Sequence, residues 1–138
     1  MGYDKEIEVM AIAHELDLFT APYVFDVDQA KAMAKVGVDQ LVVHMGLTTA
    51  PSTRATGALA LDEAVARATD IADAGCSVCK NILVVVHGGP FDEPENVGNA
   101  LVCMPGIHGF LGASNIDGLT IERAICGQVN AFKSLKMA

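Results

Sequence analysis

Positive charge is scarce in this sequence: nine Lys and Arg stand against seventeen Asp and Glu over 138 residues, a formal net charge of -8. With a pI near 4.7 and no basic arm or patch, the chain would be repelled by nucleic acid and by anionic membrane surfaces alike. Long apolar runs are missing too. Stretches such as residues 82–86 fall far short of the roughly 20 residues that span a bilayer. The first residues carry charges where a signal peptide would have an apolar core, so a soluble, cytoplasmic protein is expected. The four cysteines come without a secretory signal, which argues against a disulfide framework. Cys76 and Cys79 form a CxxC, but neither a second CxxC nor a spaced His pair completes a zinc set. No carboxylate stands directly at the end of an expected strand, so the acids that a complete enolate-handling barrel uses to hold metal or abstract protons are missing. No metal site is expected from these residues.

The chain does have enough apolar residues, 51%, to form the core of one domain over 1–138. Helix and strand patterns alternate along it. Ile7, Met10, Ala11 and His14 mark one stripe of a leading helix from Asp4 to about Asp17. A short strand is expected near residues 19–25. Asp26 and Gln29 have capping-box spacing for a second helix that Gly37 stops. Residues 41–45 read as a strand covered on both faces, and a polar loop follows from Gly46 to about Leu59. A third helix covers 61–74 with Gly75 as its stop, and 82–86 is the clearest strand. Pro94 opens a short helix that Pro105 and Gly106 end. A glycine-rich strand at 107–111 leads to a last helix capped by Thr120, with Ile121, Ala124, Ile125, Val129 and Phe132 turned inward.

A leading helix followed by four strand–helix units implies parallel strands joined by right-handed crossovers. A free-standing sheet of four such strands would leave two bare edges, and a barrel closes its edges with about eight. The expected fold is therefore α/β: the C-terminal half of a (β/α)8 TIM barrel. The terminal strands then lack neighbours, so a homo-oligomer or a complementary half-barrel chain is the expected partner.

In such folds the ligand lies beyond the C-terminal ends of the strands, and three strand ends read VVHMGLTT, VVVHGGP and HGFLGAS. His44 and His87 occupy equivalent positions on two strands, where an imidazole can donate to an anion or transfer a proton. Gly88 and Gly89, with Gly112, Ala113 and Ser114, let backbone N–H groups approach a ligand closely, and the last loops of a barrel are a frequent phosphate cradle. Thr48 and Thr49 add hydroxyl donors, and Arg54 is the cation of their loop. His108, at the start of its strand, and His14, on a helix stripe, are read as structural. Asp92, Glu93, Glu95 and Glu122 are read as compensation of helix dipoles.

The strand-end phrases, with MGYDKEIEVMAIAHELDL and PYVF before them, resemble the second half of the phosphoenolpyruvate hydrolase-like TIM-barrel family, also called TIM-barrel signal transduction proteins. That family includes single-domain proteins, sensory domains of transcriptional activators and the C-terminal part of the tomato mosaic virus resistance protein. The resemblance implies a domain about twice this length, whose first half supplies four strands. It leaves open a gene fragment, a misassigned start or a split barrel. It also implies a ligand-facing rim of His44, Gly46, Thr48, Thr49, His87, Gly88, Gly89, Gly112, Ala113 and Ser114. Departures lie in APSTRATG, which replaces a glycine- and lysine-bearing loop, and at Leu111, where the family has Tyr. The implied function is binding of a small anionic metabolite of the phosphate- or carboxylate-bearing 2-oxo acid type, with hydrolysis or C–C/P–C chemistry as the reaction. The alternative is a non-catalytic sensing or protein-interaction domain in signal transduction or resistance. No cofactor is named by these residues, and Mg2+ would need ligands from the missing half.

Overall fold

A computed structural model describes residues 2–46, 60–113, 116 and 122–135. Thr48, Thr49, Arg54, Ser114, Thr120 and Ile121 lie outside the described residues. Four strands form one sheet in the order β1-β2-β3-β4, where β1 is Tyr23–Val24, β2 is Gln40–His44, β3 is Leu83–His87 and β4 is Gly109–Phe110. Every neighbouring pair is parallel. The described helices are α1 (Tyr3–Glu15), α2 (Val27–Lys35), α3 (Leu61–Val78), α4 (Pro94–Cys103) and α5 (Glu122–Lys133). Successive parallel βα units adjacent in chain order, preceded by a helix, are the layout of half a (β/α)8 barrel.

Local chemistry accounts for the boundaries. Gln29 N–H donates to the Asp26 carboxylate at 2.8 Å, and the Gln29 amide oxygen accepts from Phe25 N–H at 2.9 Å, so the N-terminus of α2 is capped reciprocally. Gly37 ends that helix at φ +86, where a side chain would also run into the His14 imidazole of α1. Pro94 opens α4 as expected. The end of α3 departs from expectation: the helix continues through Gly75 to Val78. Gly75 is a packing residue, since a Cβ there would collide with the Leu41 side chain of β2. Helix α3 can therefore lie close against the sheet.

Register divides the sheet into two unlike faces. Val24, Val43, Val84 and Val86, with Leu41, are all 0% exposed, and they meet the helix layer, where Met33, Ala68, Ile71 and Val97 complete the core. At about 1.5–3 kcal/mol for each large side chain taken out of water, this interface dominates folding. The opposite face carries Tyr23, Gln40, His44, Leu83, Val85 and His87, and only Val42 among its residues is fully buried. That face would line the interior of a closed barrel. Within β2, Leu41, Val42 and Val43 are all buried, as the apolar run predicted, while Gln40 and His44 at its ends stay partly exposed.

Apolar surface also gathers at the two lateral ends of the sheet. Val9 and Ile12 of α1, with Leu16, Leu18 and Phe19 after it, are 51–69% exposed, although Ile7 and Met10 pack on the core as the stripe predicted. Of the described residues expected inward on α5, only Phe132 packs on the core; Ala124, Ile125 and Val129 are exposed. Outside these ends and the open sheet face with its strand-end rim, the large exposed apolar residues among those described are Val78 and Val102.

Candidate functional site

His44 and His87 are register partners across β2 and β3. Being at the C-terminal ends of parallel strands on the uncovered face, they point into one shared space. Their ring centroids lie 4.9 Å apart with planes at 81°. Tyr23, from the edge strand, stacks on His87 at 5.3 Å and meets His44 edge-on at 5.1 Å. Phe25 flanks His44 at 5.1 Å. The sequence reading missed Tyr23 and Phe25, although both sit in the PYVF segment at the end of a predicted strand.

Tyr23 is held by its backbone. The Tyr3 hydroxyl of α1 donates to its carbonyl at 2.8 Å. Burial, then the charges of Glu6 and Asp26, pushes the Tyr3 phenol well above its ordinary pKa, so it stays a donor. The leading helix therefore positions one wall of the site.

Backbone groups fix both imidazoles. Gly46 N–H donates to His44 Nδ1 at 2.9 Å, and His87 Nδ1 lies 2.8 Å from the Leu111 carbonyl oxygen. Burial, then the neighbouring His87, holds His44 below the ordinary imidazole range, while the residue's own backbone, not the Gly46 N–H, acts in the other direction.

The rim glycines join the two strand ends. Met45 N–H donates to the His87 carbonyl and Gly89 N–H to the Gly46 carbonyl, both at 3.0 Å, extending the β2–β3 ladder beyond the histidines. Gly88 and Gly89 follow at φ +69 and +59. A Cβ on Gly88 would strike the Gly46 carbonyl oxygen, and one on Gly89 would crowd Met45. Gly112 and Ala113 follow β4 and are partly buried. The amides of Gly46 and Gly89 are thus spent within the protein, which makes those residues spacers that bring the loops together. Asp92, in the loop after β3, is 9% exposed and accepts from Asn96 Nδ2 at 3.1 Å, a more buried position than a helix-dipole role predicted.

His108 and His14 lie away from this site. Val84 N–H donates to His108 Nδ1 at 3.0 Å, which ties β4 to β3. His14 lies against Gly37. Cys76 and Cys79, in the last turn and at the C-cap of α3, are both free thiols. Among the described residues no group of three His, Cys, Asp or Glu could hold a metal. Nor is any described helix long and apolar enough to cross a membrane.

The sequence profile of the phosphoenolpyruvate hydrolase-like family matches residues 1–135. The chain belongs to that family. It is 44% identical over 137 residues to the ToMV resistance protein Tm-1(GCR237) of Solanum lycopersicum, covering 99% of this chain and 18% of that protein. A putative transcriptional regulatory protein, y4pA of Sinorhizobium fredii, is 26% identical over 135 residues, 98% of this chain and 22% of that protein. This phosphoenolpyruvate hydrolase-like chain thus spans about a fifth of the length of the curated relatives it matches. Its fold is shared with the Amycolatopsis orientalis BexX/CysO complex, at TM-score 0.58 and 14% identity, over 99% of this chain and 53% of that one.

Proposed function

We propose that this chain supplies half of a strand-end pocket that binds a small metabolite carrying a carboxylate or phosphate, with His44 and His87 contacting it. The observation that carries this reading is the in-register pair of imidazoles on the uncovered sheet face, where parallel α/β folds bind their ligands. Gly46, Gly88, Gly89, Gly112 and Ala113 form the rim, joined by Thr48, Thr49 and Ser114. The family's name supports phosphoenolpyruvate-like 2-oxo acids as the ligand class and hydrolysis as the reaction. Carboxylates for Mg2+ or proton abstraction would come from the other half of the barrel. That half would come from a second copy or from a complementary half-barrel chain, and the apolar ends at α1 and α5 are where it would dock. The proposed setting is the cytoplasm.

The names of the relatives favour a second reading. A resistance protein and a transcriptional regulator fit a domain that senses a metabolite or contacts a partner in signal transduction, without turnover. Thermal-shift measurements with phosphoenolpyruvate, oxalate and phosphate, with and without Mg2+, followed by a turnover assay, decide between the two. Stabilisation with turnover supports the enzyme, and stabilisation alone supports the sensor. No stabilisation by any anion overturns the pocket. Size-exclusion chromatography tests the missing half, since a well-behaved monomer would count against self-association.

A further inference from the structure

Resting on that reading of the pocket, we infer that His44 and His87 are a proton-transfer pair locked in opposite tautomers, with His44 the hydrogen-bond donor and His87 the base. The assignment follows from what the backbone partners can do. A peptide N–H only donates, so the Gly46 N–H bonded to His44 Nδ1 requires an unprotonated Nδ1 and puts the proton of the neutral ring on Nε2. A carbonyl oxygen only accepts, so the Leu111 carbonyl beside His87 Nδ1 requires Nδ1–H and leaves a lone pair on Nε2. Neither Nε2 has a hydrogen-bond partner among the described residues.

Protonation acts differently on the two rings. A second proton on His44 would go to Nδ1 and set an N–H against the Gly46 N–H, breaking the bond that orients the ring. A second proton on His87 goes to Nε2 and leaves the Leu111 bond intact, strengthened by the positive charge. His44 is therefore built to stay neutral, and His87 is built to accept.

This polarity selects a ligand class: a small carboxylate or phosphate compound with an acceptor oxygen for His44 Nε2–H and an O–H, its own or that of a bound water, within reach of His87 Nε2. In the transfer step that O–H bond breaks and its electron pair stays on oxygen. The proton forms the new Nε2–H bond of a His87 imidazolium, which carries the single positive charge. His44 meanwhile stabilises negative charge growing on the acceptor oxygen. Tyr23, stacked on His87, gives the imidazolium a π face.

Long-range 1H–15N correlation spectra of the uniformly 15N-labelled whole chain test the assignment without any ligand, with His44→Gln and His87→Asn identifying the two rings. Expected are an Nε2–H tautomer for His44 and an Nδ1–H tautomer for His87. The same tautomer on both rings, or fast averaging on both, would overturn the inference. Binding of oxalate and inorganic phosphate gives a second readout, because a Gln amide reaches the place of Nε2 and an Asn amide that of Nδ1. His44→Gln should hold affinity within about threefold while His44→Asn loses about tenfold, the value of one hydrogen bond to a charged ligand. The reverse order would count equally against it. If wild type binds neither anion while the tautomers are opposite, the proposed function fails and the polarity of the pair stands.

Discussion

The two ends of the sheet use the same chemical parts for opposite purposes. At the N-terminal ends of the strands, Thr20 donates through both its N–H and its hydroxyl to the Asp39 carboxylate at 2.7 and 2.9 Å, and Asp39 N–H returns a bond to the Thr20 hydroxyl. His108 accepts from Val84. Thr20 and Asp39 close on each other and stitch β1 to β2, while the exposed His108 ties β4 to β3 through one ring nitrogen. At the C-terminal ends, His44 and His87 spend one ring nitrogen each on the backbone and keep the other for the open face. A histidine with a backbone partner is thus not by itself structural. What separates the two classes under the proposed function is whether the second nitrogen faces the shared strand-end space, the place proposed for the ligand of His44 and His87.

If that division holds, changes at the N-terminal ends should cost stability and leave ligand binding alone. Changes at the histidines should do the reverse. The glycines that join the C-terminal loops are the exception, and they give the largest expected effect. Gly88→Val forces a branched side chain into positive φ and against the Gly46 carbonyl oxygen, at about 3 kcal/mol or more. Denaturant unfolding should show that loss, and binding should fail with it. His108→Ala comes next. It strips an acceptor from the N–H of fully buried Val84, costing about 1–2 kcal/mol, while calorimetric affinity for a bound anion stays at the wild-type value. A loss of affinity there would erase the contrast between the two ends.

Much of this frame was legible from local chemistry. Asp26 with Gln29, Gly37 and Pro94 set helix boundaries through contacts a few residues apart, and the four parallel strands followed from spacing alone. The misreadings came from partners distant in sequence or not among the described residues. Gly75 read as a helix stop because its contact, Leu41, lies on another element. Ile125 and Val129 form a correct apolar stripe on α5, but a stripe states which side of a helix avoids water and not what covers it. Tyr23 joined the site only through the register of an edge strand and the Tyr3 hydroxyl twenty positions away.

The histidines supply the next test. His87→Ala should lower stability by no more than the value of its ring contact with Tyr23, about 0.5–1.5 kcal/mol, its main effect falling on the ligand. It should weaken binding of inorganic phosphate, whose hydrogenphosphate form carries an O–H for His87 Nε2, about tenfold. Unchanged affinity would return His87 to the structural class occupied by His108. A smaller effect is expected from acid at the other end. The Thr20 hydrogen bonds hold the Asp39 carboxyl below its ordinary range, so its contribution to stability is complete above the unfolded value of about 3.9 and is lost as pH falls through the lower folded value. Wild type should therefore exceed Asp39→Asn in urea midpoint at neutral pH, and the gap should close below about pH 4. A gap that persisted in strong acid would mean that the charge of Asp39 is not what the Thr20 bonds stabilise.

Tyr23→Phe should have the smallest effect, and it separates two roles of that ring. The stacking on His87 and the edge contact with His44 depend on the aromatic face, which Phe keeps. The contact that fixes the strand runs through the Tyr23 backbone carbonyl, which substitution leaves in place. If Tyr23 only walls the site, Phe should reproduce wild-type stability and affinity within about twofold, whereas Tyr23→Ala should lose about 0.5–1.5 kcal/mol of aromatic contact. A tenfold loss of anion affinity in the Phe variant, with the fold intact, would instead make the phenol hydroxyl a third ligand-facing group beside the two imidazoles. The β1 edge would then contribute directly to binding, and the working surface of the sheet would span three strands.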